Sequence, residues 1–255
     1  MEYKERISSI TNLTMDAVID NCRSNISQQY RKRPYSHPEL NHGLDLLTSE
    51  EGLDCYIVAY GEMHQAKCRA AMQNMPFPPR EITHSSLSLE IIDWGCGQGI
   101  GTLCLIDFLK DRDLTKWLKK ITLIEPSTAS LNRAIANVSK ATFNSVNIIP
   151  INEYLPSISD ENEVNIIHFE YNYIFHIFSN ILDVTDIDLA KLAKSIAIPG
   201  HSHYILCMGP LNGNAFRIDR FCEIFSPTVL FSNISSSKYG STTDTNYNFT
   251  SLLSR

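Results

Sequence analysis

Apolar residues recur at helical spacing in the first third of the chain. Residues 14–30 carry an apolar side chain at every third or fourth position, which predicts a helix with one buried face. That face comprises Met15, Val18, Ile19, Cys22 and Ile26. A second helix, or a pair of them, is predicted from a cap at Thr48 or Ser49 to about Met75. Three prolines between residues 76 and 79 then end it, and residues 80–88 are predicted to be a linker.

From Leu89 onward, short apolar runs alternate with helical patterns, which indicates parallel strands joined by crossover helices. The predicted strands cover residues 89–94, 121–124, 146–151 and 204–208. The predicted helices cover residues 100–109, a segment capped by Ser127, residues 186–196 and residues 217–225. Residues 229–234 and 247–253 flank a Ser/Gly-rich stretch (235–243) and are predicted to form a terminal antiparallel hairpin.

The fourth strand has two candidates, residues 164–169 and residues 173–178, since both runs are apolar and rich in β-formers. We favour the second, because Ser179 and Asn180 would then follow its carboxyl end. The first run would be an insertion or an edge strand.

These elements predict an α/β fold: a Rossmann-like, doubly wound sheet, mostly parallel, with a C-terminal antiparallel hairpin. We expect a helical N-terminal cap and linker over residues 1–85 and the sheet domain over residues 86–255. The chain is also compatible with being one module of a larger polypeptide.

Composition narrows the class of protein. No apolar stretch is long enough to span a bilayer and no signal peptide is evident, so a cytoplasmic protein without a membrane partner is expected. Seven scattered cysteines without a Cys-X-X-Cys pair suggest reduced thiols and no zinc ribbon. The net charge of −6 argues against broad attraction to nucleic acid, although Arg31-Lys32-Arg33 is one local basic candidate.

A glycine-rich segment follows the first predicted strand. Asp93 ends this strand, and glycines then stand at the alternate positions Gly95, Gly97 and Gly99. We call residues 93–99, which include Trp94, Cys96 and Gln98, the glycine loop. Such a turn lets the backbone approach a ligand beyond the carboxyl ends of the strands. A dinucleotide fingerprint would need a further glycine at 100 or 102, where Ile100 and Thr102 stand.

This segment resembles the first motif of the class I S-adenosylmethionine (SAM)-dependent methyltransferases, an acidic residue followed by G-x-G-x-G. Glu125, which closes the second predicted strand, resembles the acidic residue of the family's second motif. The resemblance covers about residues 89–253 and implies a seven-stranded SAM-binding sheet.

The resemblance also implies roles for individual residues. Glu125 would accept hydrogen bonds from both ribose hydroxyls of SAM. The glycine loop would pass the methionine part, with Asp93 orienting the loop or meeting the ammonium through water. Pro126 and Ser127 would lie along the adenine, and Asn152 or Glu153 would receive its amino group. Ser179 and Asn180 would lie beneath the sulfonium and the methyl group.

The helix before the linker is a candidate lid over this pocket. Tyr60, Gly61, His64 and Lys67 recur at spacings that can share one face. His64 is a candidate base, and Asn180 is a second weak catalytic candidate. Lys67 and Tyr60 would face the carboxylate of the ligand, while a packing helix with a solvated polar edge is the alternative.

The expected function is transfer of a methyl group from SAM to an unidentified acceptor, with RNA or protein slightly ahead of a small molecule on family frequency alone. The Asn/Asp-Pro-Pro-Tyr-like tetrad of amino-methylating DNA enzymes is absent after the fourth strand. A non-catalytic SAM-binding sensor or assembly module is the first alternative, and a nicotinamide-dependent oxidoreductase is the second. No metal site is expected, because His201 and His203 lack a third ligand. Neither the acceptor nor the oligomeric state follows from the sequence.

Overall fold

The computed structural model describes most of the chain, with gaps at several loops. The described residues are 2–43, 46–73, 75, 77, 87–155, 171–196, 201–210, 216–224, 228–239 and 242–254. The alternative fourth-strand candidate (164–169) and most of the predicted linker (80–88) lie outside them.

Three helices precede the sheet. They are α1 (Tyr3–Ser8), α2 (Met15–Asn25) and α3 (Glu50–Gln73). Thr14 caps α2 by accepting a hydrogen bond from the amide of Ala17, and its buried residues include Met15, Val18, Ile19 and Cys22, as the sequence predicts. The α3 segment is one continuous helix, and the amide of Gly52 donates to the hydroxyl of Ser49 at its start.

Strands and helices then alternate. The elements in order are β1 (Leu89–Trp94), α4 (Ile100–Lys110), β2 (Leu118–Ile124), α5 (Thr128–Ala141), β3 (Asn147–Ile151), β4 (Tyr173–Ser179), α6 (Leu189–Ile196), β5 (Ser202–Pro210) and α7 (Phe216–Ile224). Two long strands, β6 (Thr228–Tyr239) and β7 (Thr242–Ser254), end the described chain.

The strands form one sheet in the order β3-β2-β1-β4-β5-β7-β6. The first five strands are parallel to their neighbours, and β7 pairs antiparallel with both β5 and β6. The predicted α/β core of five parallel strands is confirmed, and Tyr173–Ser179 holds the central position beside β1. The order reverses between β1 and β4, so the crevice where ligands bind in such sheets lies at the carboxyl ends of these two strands.

Several element boundaries differ from the prediction, and two of these differences have a clear physical reason. Helix α6 begins at Leu189 rather than at residue 186, because the carboxylate of Asp188 accepts hydrogen bonds from the amides of Ala190 and Lys191 and so caps the helix there. Residues 235–239 and 242–243, predicted to belong to a loop, lie in β6 and β7, where backbone pairing outweighs their weak β-propensity.

The sheet separates two hydrophobic clusters. One lies between the sheet and α3, α4 and α5, and it also takes in buried side chains of α1 and α2, such as Ile7 and Val18. The other lies on the opposite face with α6 and α7. Because the N-terminal helices share a core with the sheet, they are packed elements of the fold; the domain boundary near residue 85 stays a prediction.

Helix α3 runs along the carboxyl edge of the sheet and is tied to three strand ends. Ahead of the helix, the carbonyl of Leu47 accepts from the hydroxyl of Ser127 after β2 (2.9 Å). Within it, the carbonyl of Leu53 accepts from the side-chain amide of Gln98 after β1 (3.0 Å). Near its end, Lys67 donates to Asn180 after β4 (3.1 Å). Helix α3 and the residues just before it therefore lie across the ends of β1, β2 and β4, while its role as a lid stays a prediction. No helix within the described ranges is long and apolar enough to cross a membrane.

Candidate functional site

The glycine loop turns sharply between β1 and α4. The amides of Gly95 and Cys96 both donate to the carbonyl of Ile124 at the end of β2 (2.9 Å each), which holds the loop against the neighbouring strand. All three glycines of the loop have positive φ (74°, 52° and 82°), the left-handed region that side chains disfavour. Gly97 alone has open space where a Cβ would stand, whereas a Cβ at Gly99 would meet Ala134 at 3.2 Å. The loop is therefore open to a ligand at Gly97 and packed at Gly99.

Asp93 anchors the start of α4. One oxygen of its buried carboxyl group accepts hydrogen bonds from the amide (3.1 Å) and the hydroxyl (2.7 Å) of Thr102. Burial raises the pKa of Asp93 to about 7; the bonds from Thr102 lower it and the charge of Glu125 raises it further. Of the two roles expected for Asp93, orientation of the loop is the one these contacts support.

This raised pKa makes the stability of the protein depend on pH. Between pH about 4 and 7 the folded protein holds a proton on Asp93 that the unfolded chain releases, so Asp93 favours folding at low pH and this contribution is lost as pH rises toward 7. In Asp93→Asn this pH dependence disappears, because the side chain of asparagine does not titrate. The amide oxygen still accepts from Thr102, so the local structure is kept. We expect the stability of this variant relative to wild type to rise by roughly 2–3 kcal/mol between pH 5 and pH 8.

Urea denaturation of both proteins at the two pH values measures that difference. The neutral His64 changes stability in the opposite direction between pH 3 and 6.5, but it does so in both proteins and cancels. An equal stability difference at pH 5 and pH 8 would contradict the assignment.

Glu125 joins the ends of β1 and β2. One oxygen of its carboxylate accepts from the amide of Gly97 (3.0 Å) and the other from the amide of Ser127 (2.9 Å). Burial raises the pKa of Glu125, while the two amide bonds lower it. A carboxylate offers about four lone-pair directions, so both oxygens retain capacity to accept from a diol.

The end of β3 is fastened to the same loop. The side-chain amide of Asn152 donates to the carbonyls of Glu125 (2.8 Å) and Pro126 (2.9 Å) and accepts from Thr128 (2.8 Å). Asn152 therefore holds the β2 loop in shape, while Glu153 beside it is exposed. Pro126 is half-buried at the rim of this loop.

The side chains of Cys96 and Gln98 in the glycine loop are also buried. The side chain of Gln98 is buried between helices, where it donates to Leu53 and accepts from Arg133 (3.1 Å). Cys96 is also buried, and burial raises the pKa of its thiol well above the usual range, so the thiol stays protonated. Gln98 therefore braces the neighbouring helices, whereas the thiol of Cys96 contacts the carbonyl of Gly97 (3.6 Å).

Four polar side chains meet above the end of β4. Asn180 has a left-handed backbone (φ 56°), and its amide donates to the carbonyl of Met208 at the end of β5. The side chain of Asn180 lies 3.1 Å from the ammonium of Lys67, 2.6 Å from Nδ1 of His64 and 3.3 Å from the hydroxyl of Ser179. The Nε2 atom of His64 lies 3.3 Å from the hydroxyl of Tyr56. We call Tyr56, His64, Lys67 and Asn180 the β4 cluster.

Burial decides the protonation of the cluster. It lowers the pKa of His64 to about 3, with a smaller contribution from the charge of Lys67, so the imidazole is neutral at physiological pH. Burial also raises the pKa of Tyr56 to about 12, with smaller contributions from Tyr60 and Glu125. His64 is thus a weak base, which disfavours the base role that the sequence suggested for it.

The predicted lid face divides in two. His64, Lys67 and the half-buried Tyr60 lie on the sheet side, and the ring of Tyr60 packs edge-on against Tyr56 with ring centres 5.2 Å apart. Gly61 instead faces α2, where a Cβ would lie 3.1 Å from Met15 and Ile19. The prediction that Gly61 shares the face of His64 and Lys67 is therefore wrong.

Tyr56 is the residue of this site that sequence reasoning missed. It stands four residues before Tyr60 and eight before His64, a helical spacing that would have included it on the face. Thr102 was noted only because it is not a glycine, although its hydroxyl and amide hold Asp93. Among the described residues, no group of His, Cys, Asp or Glu side chains could hold a metal ion.

Comparison with solved structures relates this architecture to known enzymes. The SAM-bound magnesium protoporphyrin IX methyltransferase of Synechocystis PCC 6803 has a TM-score of 0.50 at 10% identity, over 96% of this chain and 100% of that one. The chain has the class I methyltransferase fold. The likeness lies in the five parallel strands and their helices, and at this identity it concerns the fold only.

Two further solved methyltransferases are similar at TM-scores below 0.5. A SAM-dependent methyltransferase of Leishmania major gives 0.46 at 11% identity, over 92% of this chain and 82% of that one. An arsenic(III) SAM methyltransferase of Chlamydomonas reinhardtii gives 0.45 at 13% identity, over 74% and 73%. The chain matches no protein-family model and no curated protein.

Proposed function

We propose that this protein binds SAM at the glycine loop and transfers its methyl group to an acceptor. The observation that carries the proposal is the geometry at Gly97. Its left-handed backbone leaves open space on the ligand side, and its amide is tied to the carboxylate of Glu125 across the ends of two adjacent strands. An acidic residue and an open glycine at the switch point suit a ribose diol beside an amino-acid tail.

The proposed site divides among the strand ends. Glu125 holds the ribose, while the backbone of Gly95 and Gly97 borders the methionine part. Pro126 borders the adenine, with Glu153 as a candidate for its amino group and Asn152 shaping the loop. Ser179 and Asn180 lie toward the methyl group, with Tyr60 and Lys67 facing them from α3. The side chain of Gln98 is not part of the proposed site, because it is buried against Leu53 and Arg133, while the thiol of Cys96 borders Gly97. We also infer that β6 and β7 complete the seven-stranded sheet that the sequence resemblance implies.

Methyl transfer from a sulfonium needs chiefly correct position and exclusion of water, because the donor is already activated. Helix α3 meets both needs. It is tied to the ends of β1, β2 and β4, so it covers the crevice in which donor and acceptor would meet.

Removing the carboxylate tests the ribose assignment. In Glu125→Ala two hydrogen bonds to SAM are lost, and we expect binding to weaken by roughly 1–3 kcal/mol, which is about 5- to 150-fold in Kd. Isothermal titration calorimetry measures the change, with Glu153→Ala as the matched control on the next strand, where we expect a smaller loss. Wild-type affinity in Glu125→Ala would show that another residue holds the ribose.

The function itself is tested by binding and turnover together. We expect saturable binding of SAM and S-adenosylhomocysteine and none of NAD, followed by consumption of SAM when a suitable acceptor is present. Tight SAM binding without transfer to RNA, protein or small-molecule acceptors would favour a non-catalytic sensor or assembly module. Binding of NAD without SAM would favour an oxidoreductase.

A further inference from the structure

The β4 cluster is a directed chain of hydrogen bonds. An ammonium group can only donate, so the atom of Asn180 that faces Lys67 must be its carbonyl oxygen. The amide nitrogen of Asn180 therefore faces His64 and donates to Nδ1 at 2.6 Å. Since Nδ1 of the neutral imidazole accepts, its proton is on Nε2, which donates to the hydroxyl oxygen of Tyr56. Lys67 thus fixes the tautomer of His64 through Asn180.

This chain of hydrogen bonds does not use the proton of the Tyr56 hydroxyl, which is directed away from His64. The hydroxyl oxygen accepts from His64, so its own O–H must donate elsewhere. In the part of the chain that the structure describes, no protein group accepts that proton. Tyr56 is half-buried, and it is linked through His64 to the carboxyl end of β4, beside the glycine loop. The hydroxyl therefore offers a donor to a molecule in the crevice at the switch point.

Of the described titratable groups around this donor, none is placed to take a proton from a bound acceptor. Nδ1 of His64 is occupied by Asn180 and Nε2 carries a proton, while Lys67 donates. Both oxygens of Glu125 accept from backbone amides and would hold the ribose, and Asp93 is buried beneath the loop against Thr102. An acceptor that must lose a proton during transfer, such as an alcohol, would need a base here.

The donated hydrogen bond also selects the kind of atom that can react. A neutral amine has one lone pair, which a bond from Tyr56 would occupy, and a protonated amine has none. Sulfur accepts hydrogen bonds only weakly. A carboxylate has about four lone-pair sites over two oxygens, so it accepts from Tyr56 and still presents a lone pair to the methyl group.

We propose that Tyr56 binds the methyl acceptor and that the atom methylated is an oxygen of a carboxylate. This proposal rests on the proposed function, which places SAM at the glycine loop. The carboxylate oxygen attacks the methyl carbon, and the C–O bond forms as the bond from carbon to sulfur breaks. The electron pair of the broken bond stays on sulfur, which gives neutral S-adenosylhomocysteine and a methyl ester. No proton is released, so no base is required.

The bond that forms is tested with SAM labelled in its methyl group. The full chain is incubated with acetate, octanoate or benzoate, or with ethylamine, octylamine or benzylamine as matched amines. Methyl esters release methanol in alkali, whereas methylamines do not. Alkali-labile label with an acid is the expected result. Label on an amine, or no label on any acid while calorimetry shows SAM bound, would overturn the proposal. Failure to bind SAM would instead overturn the proposed function beneath it.

Tyr56→Phe removes only the donor. We expect kcat/KM for the acid to fall at least tenfold, mainly through KM, while the Kd for SAM stays within twofold of wild type. Tyr35→Phe, at an exposed position remote from the glycine loop in the chain, is the matched control and should behave as wild type. Equal kcat/KM in Tyr56→Phe and wild type would remove Tyr56 from the acceptor site.

Asn180→Asp tests the direction of the chain of hydrogen bonds. Aspartate accepts from Lys67 and tolerates a positive φ, but it has no N–H for His64. Neutral His64 then donates from Nδ1 and accepts the Tyr56 proton at Nε2, which takes the donor away from the acceptor.

The new carboxylate beside His64 raises the pKa of the imidazole, so acid makes it doubly protonated. His64 then donates from both nitrogens and the Tyr56 proton turns outward again. The titratable groups around His64 are Tyr56, Tyr60, Lys67 and the new aspartate. We therefore expect activity of Asn180→Asp relative to wild type to rise as pH falls from 8 to 5.5. A ratio independent of pH, with the same melting temperature, would overturn the positioning role of Asn180.

Discussion

Asp54→Asn is expected to destabilise the protein by about 3–5 kcal/mol, because it removes the charge that compensates two buried arginines. The carboxylate of Asp54 accepts from Arg6 with both oxygens (2.9 Å each) and from Arg133 with one (2.7 Å). All three residues are less than a tenth exposed. Asparagine keeps the shape but has one acceptor oxygen and no charge, so buried Arg6 loses its ion pair while Arg133 keeps the one with Glu50. Chemical denaturation measures the loss.

The matched control is Asp16→Asn, which breaks an ion pair of the same type between α2 and α3. Asp16 and Arg69 lie 3.4 Å apart, and their side chains are 64% and 65% exposed, so we expect a change within about 1 kcal/mol. Equal losses in the two variants would mean that burial does not set the strength of the Asp54 network. Arg133 also donates to the side chain of Gln98 in the glycine loop, so we expect Asp54→Asn to loosen this loop as well.

Gly97→Val is expected to reduce SAM affinity at least 100-fold while the protein stays folded. A Cβ at residue 97 meets no other atom within 4 Å, so the side chain would occupy the space through which the ligand must pass. The left-handed backbone (φ 52°) adds a strain of about 1–2 kcal/mol, which a protein of this size tolerates. Calorimetric titration with SAM, together with a thermal denaturation curve, separates the two effects.

Gly99→Ala is the contrasting variant in the same loop. Its Cβ would lie 3.2 Å from the backbone of Ala134 in α5, and its φ is 82°, so the substitution should chiefly reduce stability. Wild-type affinity of Gly97→Val for SAM would place the ligand away from the glycine loop and remove the basis of the proposed function.

Much of the fold is visible in the sequence, because local pattern and local geometry agree. The cap at Ser127 and the strand over Leu89–Trp94 both lie where spacing and residue type indicate. The choice of Tyr173–Ser179 as the fourth strand is confirmed by its pairing with β1. Asp188 was missed as a cap because an acidic residue suits both a first turn and the position before it.

The site is only partly visible in the sequence. The glycine loop and Glu125 stand out because glycine spacing and a strand-end acid are local features, and the structure joins them through the amide of Gly97. The contact of Lys67 and His64 with Asn180 spans more than 110 residues of chain, so no local pattern encodes it. No local pattern encodes the contacts of Gln98 either. Its place in the loop suggested a ligand contact, but its side chain bonds to Arg133 and Leu53.

The sequence by itself determined the order of strands and helices, the crevice at the switch point and the loop that suits SAM, because each depends on residues close together in the chain. Only the tertiary structure decided which way side chains turn and which protons they hold. It buries His64 as a neutral group, places the Tyr56 hydroxyl beside it and leaves Gly97 open while it packs Gly99. Burial and long-range packing set these properties, and both exist only once α3 lies across the carboxyl edge of the sheet.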